Sequence, residues 1–144
     1  MAKENENLLE EIYKATKMGL DATRLVIPKV HDESLLKQIE LQKKNYEGMN
    51  AKAKAMLREE GRLPEEETAL KKAILRSSIK VNTLVNKKTS HIAEMMINGS
   101  TMGIVDMTKK LNDLDDADAG AKKLAEEYIA NDQKNIENLK DFLC

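Results

Sequence analysis

Residues 89–107, TSHIAEMMINGSTMGIVDM, constrain the fold more than any other stretch of the chain. Wound at 3.6 residues per turn, their apolar side chains fall on nearly every side, the pattern of a helix enclosed by others. The segment therefore predicts a bundle of several helices, with one over residues 89–111 at its centre. Its few polar members, among them Glu94, Asn98 and Asp106, interrupt the apolar run, so it does not qualify to span a bilayer.

The flanking sequence supplies the partners. A first helix is expected over 6–27, with Leu8, Ile12, Ala15, Gly19, Ala22 and Val26 on one stripe and Pro28 to stop it. Asp32 is placed to cap a second helix over 32–60. Its stripe is Leu35, Ile39, Gln42, Tyr46, Met49, Ala53 and Met56, and Gly61 follows where helices often end. Pro64 and Glu65 to Glu67 suit the start of a helix over 65–86, with Leu70, Ala73 or Ile74, Ser77, Val81 and Leu84 on its apolar face. Asn86 to Ser90 should break the chain there, since an unbroken helix from 65 to 111 would reach roughly 70 Å. After the turn at 112–116, a last helix over 117–143 points Ala121, Leu124, Tyr128, Asn131 or Asp132, Asn135, Leu139 and Phe142 inward.

The 144 residues suit a single all-α domain with a real core. Short turns make hairpins of the first two and last two helices. The helix at 65–86, ~33 Å long, can return the chain from one end of the bundle to the other. That arrangement is two hairpins with one long crossover; a five-helix up-down bundle is the competing topology. Together with the run SHIAEMMINGSTMGIVDMTKKL, residues 90–111, it resembles the ferritin-like superfamily. Within it, the chain is similar to a group of small, largely uncharacterised bacterial four-helix-bundle proteins. The resemblance covers nearly the whole chain, and the motif carries no known chemistry.

Several function classes are disfavoured. A net charge of −1 gives no general drive towards nucleic acid or anionic membrane, and the absence of Trp removes the best stacking platform for bases. Lys71, Lys72, Arg76, Lys80, Lys87 and Lys88 form a basic side on the expected crossover, adequately explained as a solvated face. With Cys144 the single cysteine, no intrachain disulfide can form, which fits a reducing cytoplasm. The N-terminal sequence is acidic and polar, unlike a secretory leader. The superfamily's di-iron site, which the resemblance brings to mind, takes two Glu-x-x-His pairs. His31 and His91 are the chain's two histidines; Pro28 and Lys88 stand where those glutamates would be. No metal and no cofactor are expected; the reversed pair His91 and Glu94 is only a weak candidate.

Counting along the helices from one end of the bundle places Asp21 and Lys17, Gln42, Glu94 and Asn98, and Asp132 and Asn135 near one level. The plainer reading is a hydrogen-bonded layer that fixes register; the sharper one is a ligand site. Gly99-x-x-x-Gly103, with Gly19 opposite, predicts close helix packing, and Met95, Met96, Met102 and Met107 read as adaptable core filler. The leading expectation is a non-enzymatic bundle serving assembly or partner binding, as a homo-oligomer or with another protein, and with no nucleic acid. The alternative is a degenerate ferritin-like protein that binds a metal or small ligand at mid-bundle.

Overall fold

The computed structural model describes residues 2–62 and 88–144. The helix expected over 65–86, with its apolar face and basic side, lies outside the described residues. Four α-helices and one 3-10 turn account for most of the rest, with no strand among the described residues. They are α1 (Ala2–Val26), α2 (Glu33–Glu59), α3 (Thr89–Asp113) and α4 (Ala119–Lys140). No helix among the described residues is long and apolar enough to cross a membrane.

Local chemistry sets the boundaries. Pro28 sits inside the 3-10 turn Ile27–Lys29 that follows α1, so the chain tightens before it reverses. The Asp32 carboxylate then accepts the Leu35 backbone N–H at 2.9 Å, satisfying one of the free donors of α2. Beyond α2, Gly61 takes φ +77°, the left-handed geometry that glycine adopts cheaply. Asp118 caps α4, which begins two residues later and ends three residues earlier than the sequence pattern predicts.

The core divides into two apolar clusters. One gathers Leu8, Leu9 and Ile12 of α1, Ala53 and Leu57 of α2, Met107 of α3, and Ala121 and Leu124 of α4. The other gathers Val26, Leu35, Ile39, Ile92 and Leu139. The order in which each helix visits these clusters fixes direction: α2 and α3 run parallel, α1 and α4 opposite to them. Residues 62 and 88 therefore stand at opposite ends of the bundle. The crossover and up-down topologies share that property and differ only in residues 63–87.

Packing is unequal around the bundle. Helix α1 lies along α2 and α3 along α4, while α4 also touches both α1 and α2; α1 meets α3 sparsely. This corrects the expectation for the segment 89–111, which is not enclosed. Ile92, Ala93, Ser100 and Met107 are its buried residues, whereas Met102 is 61% and Val105 47% exposed. Among the described residues the segment packs principally on α4; Met95, Met96 and Ile97 are half-buried against the second cluster, and Met102 and Val105 are left exposed.

The buried face of α1 is also rotated from the expected stripe. Thr16, Leu20 and Thr23 are buried, while Ala15, Gly19 and Ala22 are only half-buried. Threonine is tolerated there because its hydroxyl bonds back to the helix. Thr16 Oγ1 donates to the Ile12 carbonyl at 2.8 Å, and Thr23 Oγ1 to that of Leu20 at 2.7 Å. Asn50 of α2 reaches across to the Tyr13 carbonyl and Thr16 Oγ1, at 3.1 and 3.0 Å, tying the first hairpin together.

Candidate functional site

Between the two apolar clusters lies a polar stratum, made of Thr23 on α1, Gln42 on α2, Ser100 on α3, and Asp132 and Asn135 on α4. Its centre is Asp132, a fully buried carboxylate. Tyr46 of α2 donates its hydroxyl to Asp132 Oδ1 at 2.6 Å, and Asn135 Nδ2 donates to the same oxygen at 3.4 Å. The Tyr46 and Tyr128 rings stand 6.3 Å apart, tilted by 43°, so α2 and α4 present their hydroxyls to one carboxyl group.

Glycines let the neighbouring helices close on this cluster. A Cβ at Gly19 would lie 2.9 Å from three atoms of the Tyr46 ring. One at Gly103 would lie 2.6 Å from Tyr128 Oη and 2.8 Å from Asp132 Oδ2. Both α1 and α3 thus approach the tyrosines through positions that have no side chain. Gly99 does not, contrary to the sequence expectation: it is exposed, and a Cβ there would meet nothing within 4 Å. One turn of helix separates Gly99 from Gly103, but α3 bends no closer to a neighbour at Gly99, where the α1 side is open.

Desolvation dominates the electrostatics. Burial pushes the Asp132 carboxyl up from the ordinary 3.8 to about 6, against the opposing pull of hydrogen bonds from Tyr46, Tyr128 and Asn135. Oδ2 has no hydrogen bond of conventional geometry; the Tyr128 hydroxyl, close enough to favour the charged form, is the donor nearest to serving it. Both phenols are held well above their usual range, first by burial and then by the Asp132 charge. Asp106 acts on Tyr128 in the same sense. The Gln42 amide, also fully buried, has neither its oxygen nor its nitrogen hydrogen-bonded.

The cluster is reached from outside. Where α1 and α3 diverge, a groove of about 1010 Å³ runs along the bundle, and Tyr46, Tyr128, Ser100 and Gly103 line it at mid-length. Its walls carry Met18, Ala22 and Val26 from α1, and Met95, Met96, Met102 and Met107 from α3. Gly99, Asn98, Glu94 and His91 also line the groove, with Glu94 and Asn98 exposed.

The residues singled out from the sequence therefore separate into two sets. Gln42, Asp132 and Asn135 share the buried stratum. Glu94 and Asn98 do not join it; both are exposed on α3, and Glu94 lies beside Ile92 of the end cluster. Asp21 is also outside it, on the flank of α1, 3.6 Å from both Lys17 and Arg24. Among the described residues no three His, Cys, Asp or Glu side chains converge as a metal site would require, and His91 and Glu94 simply share the groove. The tyrosines were missed as site residues because periodicity counts them as core. Their only sequence signal is that a buried phenol must find a hydrogen-bond partner.

No family model, no curated protein and no solved structure matches the chain. Its chemistry has to be read from the groove itself.

Proposed function

We propose that this protein binds a small organic molecule in the groove between α1 and α3, in a ferritin-like bundle that lacks the di-iron ligand set. The observation that carries the proposal is the meeting of a long methionine-walled groove with a buried polar cluster at its mid-length. Ligand sites characteristically combine apolar walls with a few convergent polar groups. Methionine walls adapt to ligand shape, because the unbranched thioether side chain repacks at little cost. The parallel run of α2 and α3 is what a ferritin-like crossover requires, and a five-helix up-down bundle requires it equally.

Gly99 provides the test. It lines the groove with free space in front of it, so Gly99→Leu should fill the groove without displacing a neighbour. A neutral probe that fluoresces in apolar surroundings, N-phenyl-1-naphthylamine, should bind the wild-type protein and lose at least most of its signal in Gly99→Leu. The variant's melting temperature should stay at or above that of the wild type. Equal probe binding by both proteins would exclude the groove as the site.

The other reading, assembly or binding of a protein partner, has one observation in its favour. Met102 and Val105 are exposed large apolar residues on the same helix. Sedimentation of the wild type and a Met102→Lys, Val105→Lys variant separates self-association through that face from a ligand role.

A further inference from the structure

Given a ligand site in the groove, on which this inference rests, the chemistry of its mid-section narrows the ligand class. The Tyr46 proton is committed to Asp132 Oδ1, at 2.6 Å. The Ser100 hydroxyl is in turn a donor towards the Tyr46 oxygen. Tyr128 Oη lies beside the same carboxylate without a hydrogen bond of conventional geometry to it, and Asp106 adds a second negative charge nearby. With its proton turned inwards, the Tyr46 phenol offers its remaining lone pair outwards. What the groove presents at mid-length is therefore a set of acceptors backed by negative charge.

That charge has no matching cation among the described residues. Among the described residues no Lys, Arg or His pairs with Asp132, and none contributes to its electrostatics. A buried carboxylate ordinarily has such a counter-charge. Among the described residues the groove carries four carboxylates, Glu11, Glu94, Asp106 and Asp113, against three lysines. Of those lysines, Lys110 pairs with Glu11 at 3.6 Å, Lys109 is exposed, and Lys14 lies more than a turn along α1 from Gly19, the point of contact with Tyr46. Among these residues the acidic excess is one charge, and Asp106 is the groove carboxylate that acts on Tyr128.

We infer that the groove takes an organic ammonium ligand, a cationic amine with an apolar body. The ammonium seats against the Tyr46 and Tyr128 hydroxyls above Asp132, and the body lies along the methionine walls. An ammonium supplies a further donor to the phenol oxygens and a positive charge opposite Asp132 and Asp106. A neutral alcohol supplies one donor and no charge. A carboxylate would meet Asp132 and Asp106 with like charge.

The test is competition against bound N-phenyl-1-naphthylamine by three chains of equal length: n-octylammonium, 1-octanol and octanoate. It uses the full-length protein at about pH 7.5, where octylammonium is charged and Asp132 ionised. The ammonium should displace the probe at a concentration about tenfold or more below that of the alcohol, with octanoate weakest. In Asp132→Asn the ammonium should lose most of its advantage over the alcohol. Tyr128→Phe, which removes one acceptor and leaves the carboxylate, should reduce the ratio less. Equal displacement by ammonium and alcohol, or tighter binding of octanoate, would overturn the inference even if the substituted proteins fail to fold. A probe that binds and is blocked by Gly99→Leu, but shows no ammonium preference, would leave the groove as a site and refute only its cationic selectivity.

Discussion

Replacing Asp132 with asparagine isolates the cost of the buried carboxylate. The unfolded chain titrates near the ordinary 3.8 and the folded one near 6, so the folded state holds its proton about two pH units longer. At about 1.4 kcal/mol per unit, burying the ionised form costs ~3 kcal/mol. Below the unfolded value the carboxyl is protonated in both states and the penalty is absent. As pH rises from 3.8 towards 6 the unfolded chain releases its proton first, so stability from this group is lost through that window and levels off above it. Asparagine keeps the shape and the oxygen that accepts from Tyr46, and it does not titrate. Urea unfolding followed by circular dichroism, at steps from about pH 4 to 7.5, should show wild type and Asp132→Asn nearly equal at the acid end. The variant should become more stable by ~3 kcal/mol at the neutral end. A constant difference across the range would mean that Asp132 is not desolvated. A wild type that gains on the variant as pH rises would mean that a cation or stronger hydrogen bonding holds the carboxyl low, and would refute the assignment of burial as the dominant cause.

Tyr46→Phe removes the shorter donor to Asp132, so the carboxyl should titrate higher still, and neutral-pH stability should fall by about 1–3 kcal/mol in the same unfolding assay. Gly103→Ala should destabilise by about 1–3 kcal/mol even though alanine favours helix, because its Cβ would intrude on Tyr128 Oη and Asp132 Oδ2. Gly99→Ala should instead stabilise, by up to ~1 kcal/mol, since the helix gains and nothing is displaced. Thermal melts of the two alanine variants side by side check both signs; a like-signed pair would contradict the asymmetry of α3.

Much of the bundle was legible because α2 and α4 are strongly one-sided. Leu35, Ile39, Gln42, Tyr46, Met49 and Ala53 repeat at helical spacing, and the same residues are buried. The polar Gln42 and Asn135 could be placed inside because they interrupt otherwise apolar stripes. Helix α3 was harder for a physical reason. Its apolar residues lie all round, so periodicity gives no azimuth, and counting residues along the axis fixes height without rotation. Asn98 and Glu94 were accordingly turned inward, whereas both are exposed. On α1 the error ran through residue type: Thr16 and Thr23 score as polar, yet their hydroxyls are satisfied by their own helix. The groove leaves no mark in the sequence, because it results from the spacing between α1 and α3 and not from either helix alone.

The division of the core has a consequence for how the molecule comes apart. The cluster of Val26, Leu35, Ile39, Ile92 and Leu139 shares no continuous apolar contact with the larger one across Gln42, Asp132 and Asn135. Opening that end exposes these five side chains and the partly buried ones packed on them, while the longer cluster stays shut. The protein should therefore have two cooperative units of unequal depth, with amides near the α1–α2 turn, the start of α3 and the end of α4 exchanging with solvent through partial opening. The polar stratum would be the boundary between them, and Asp132 and the tyrosines the part of the interior that water reaches first.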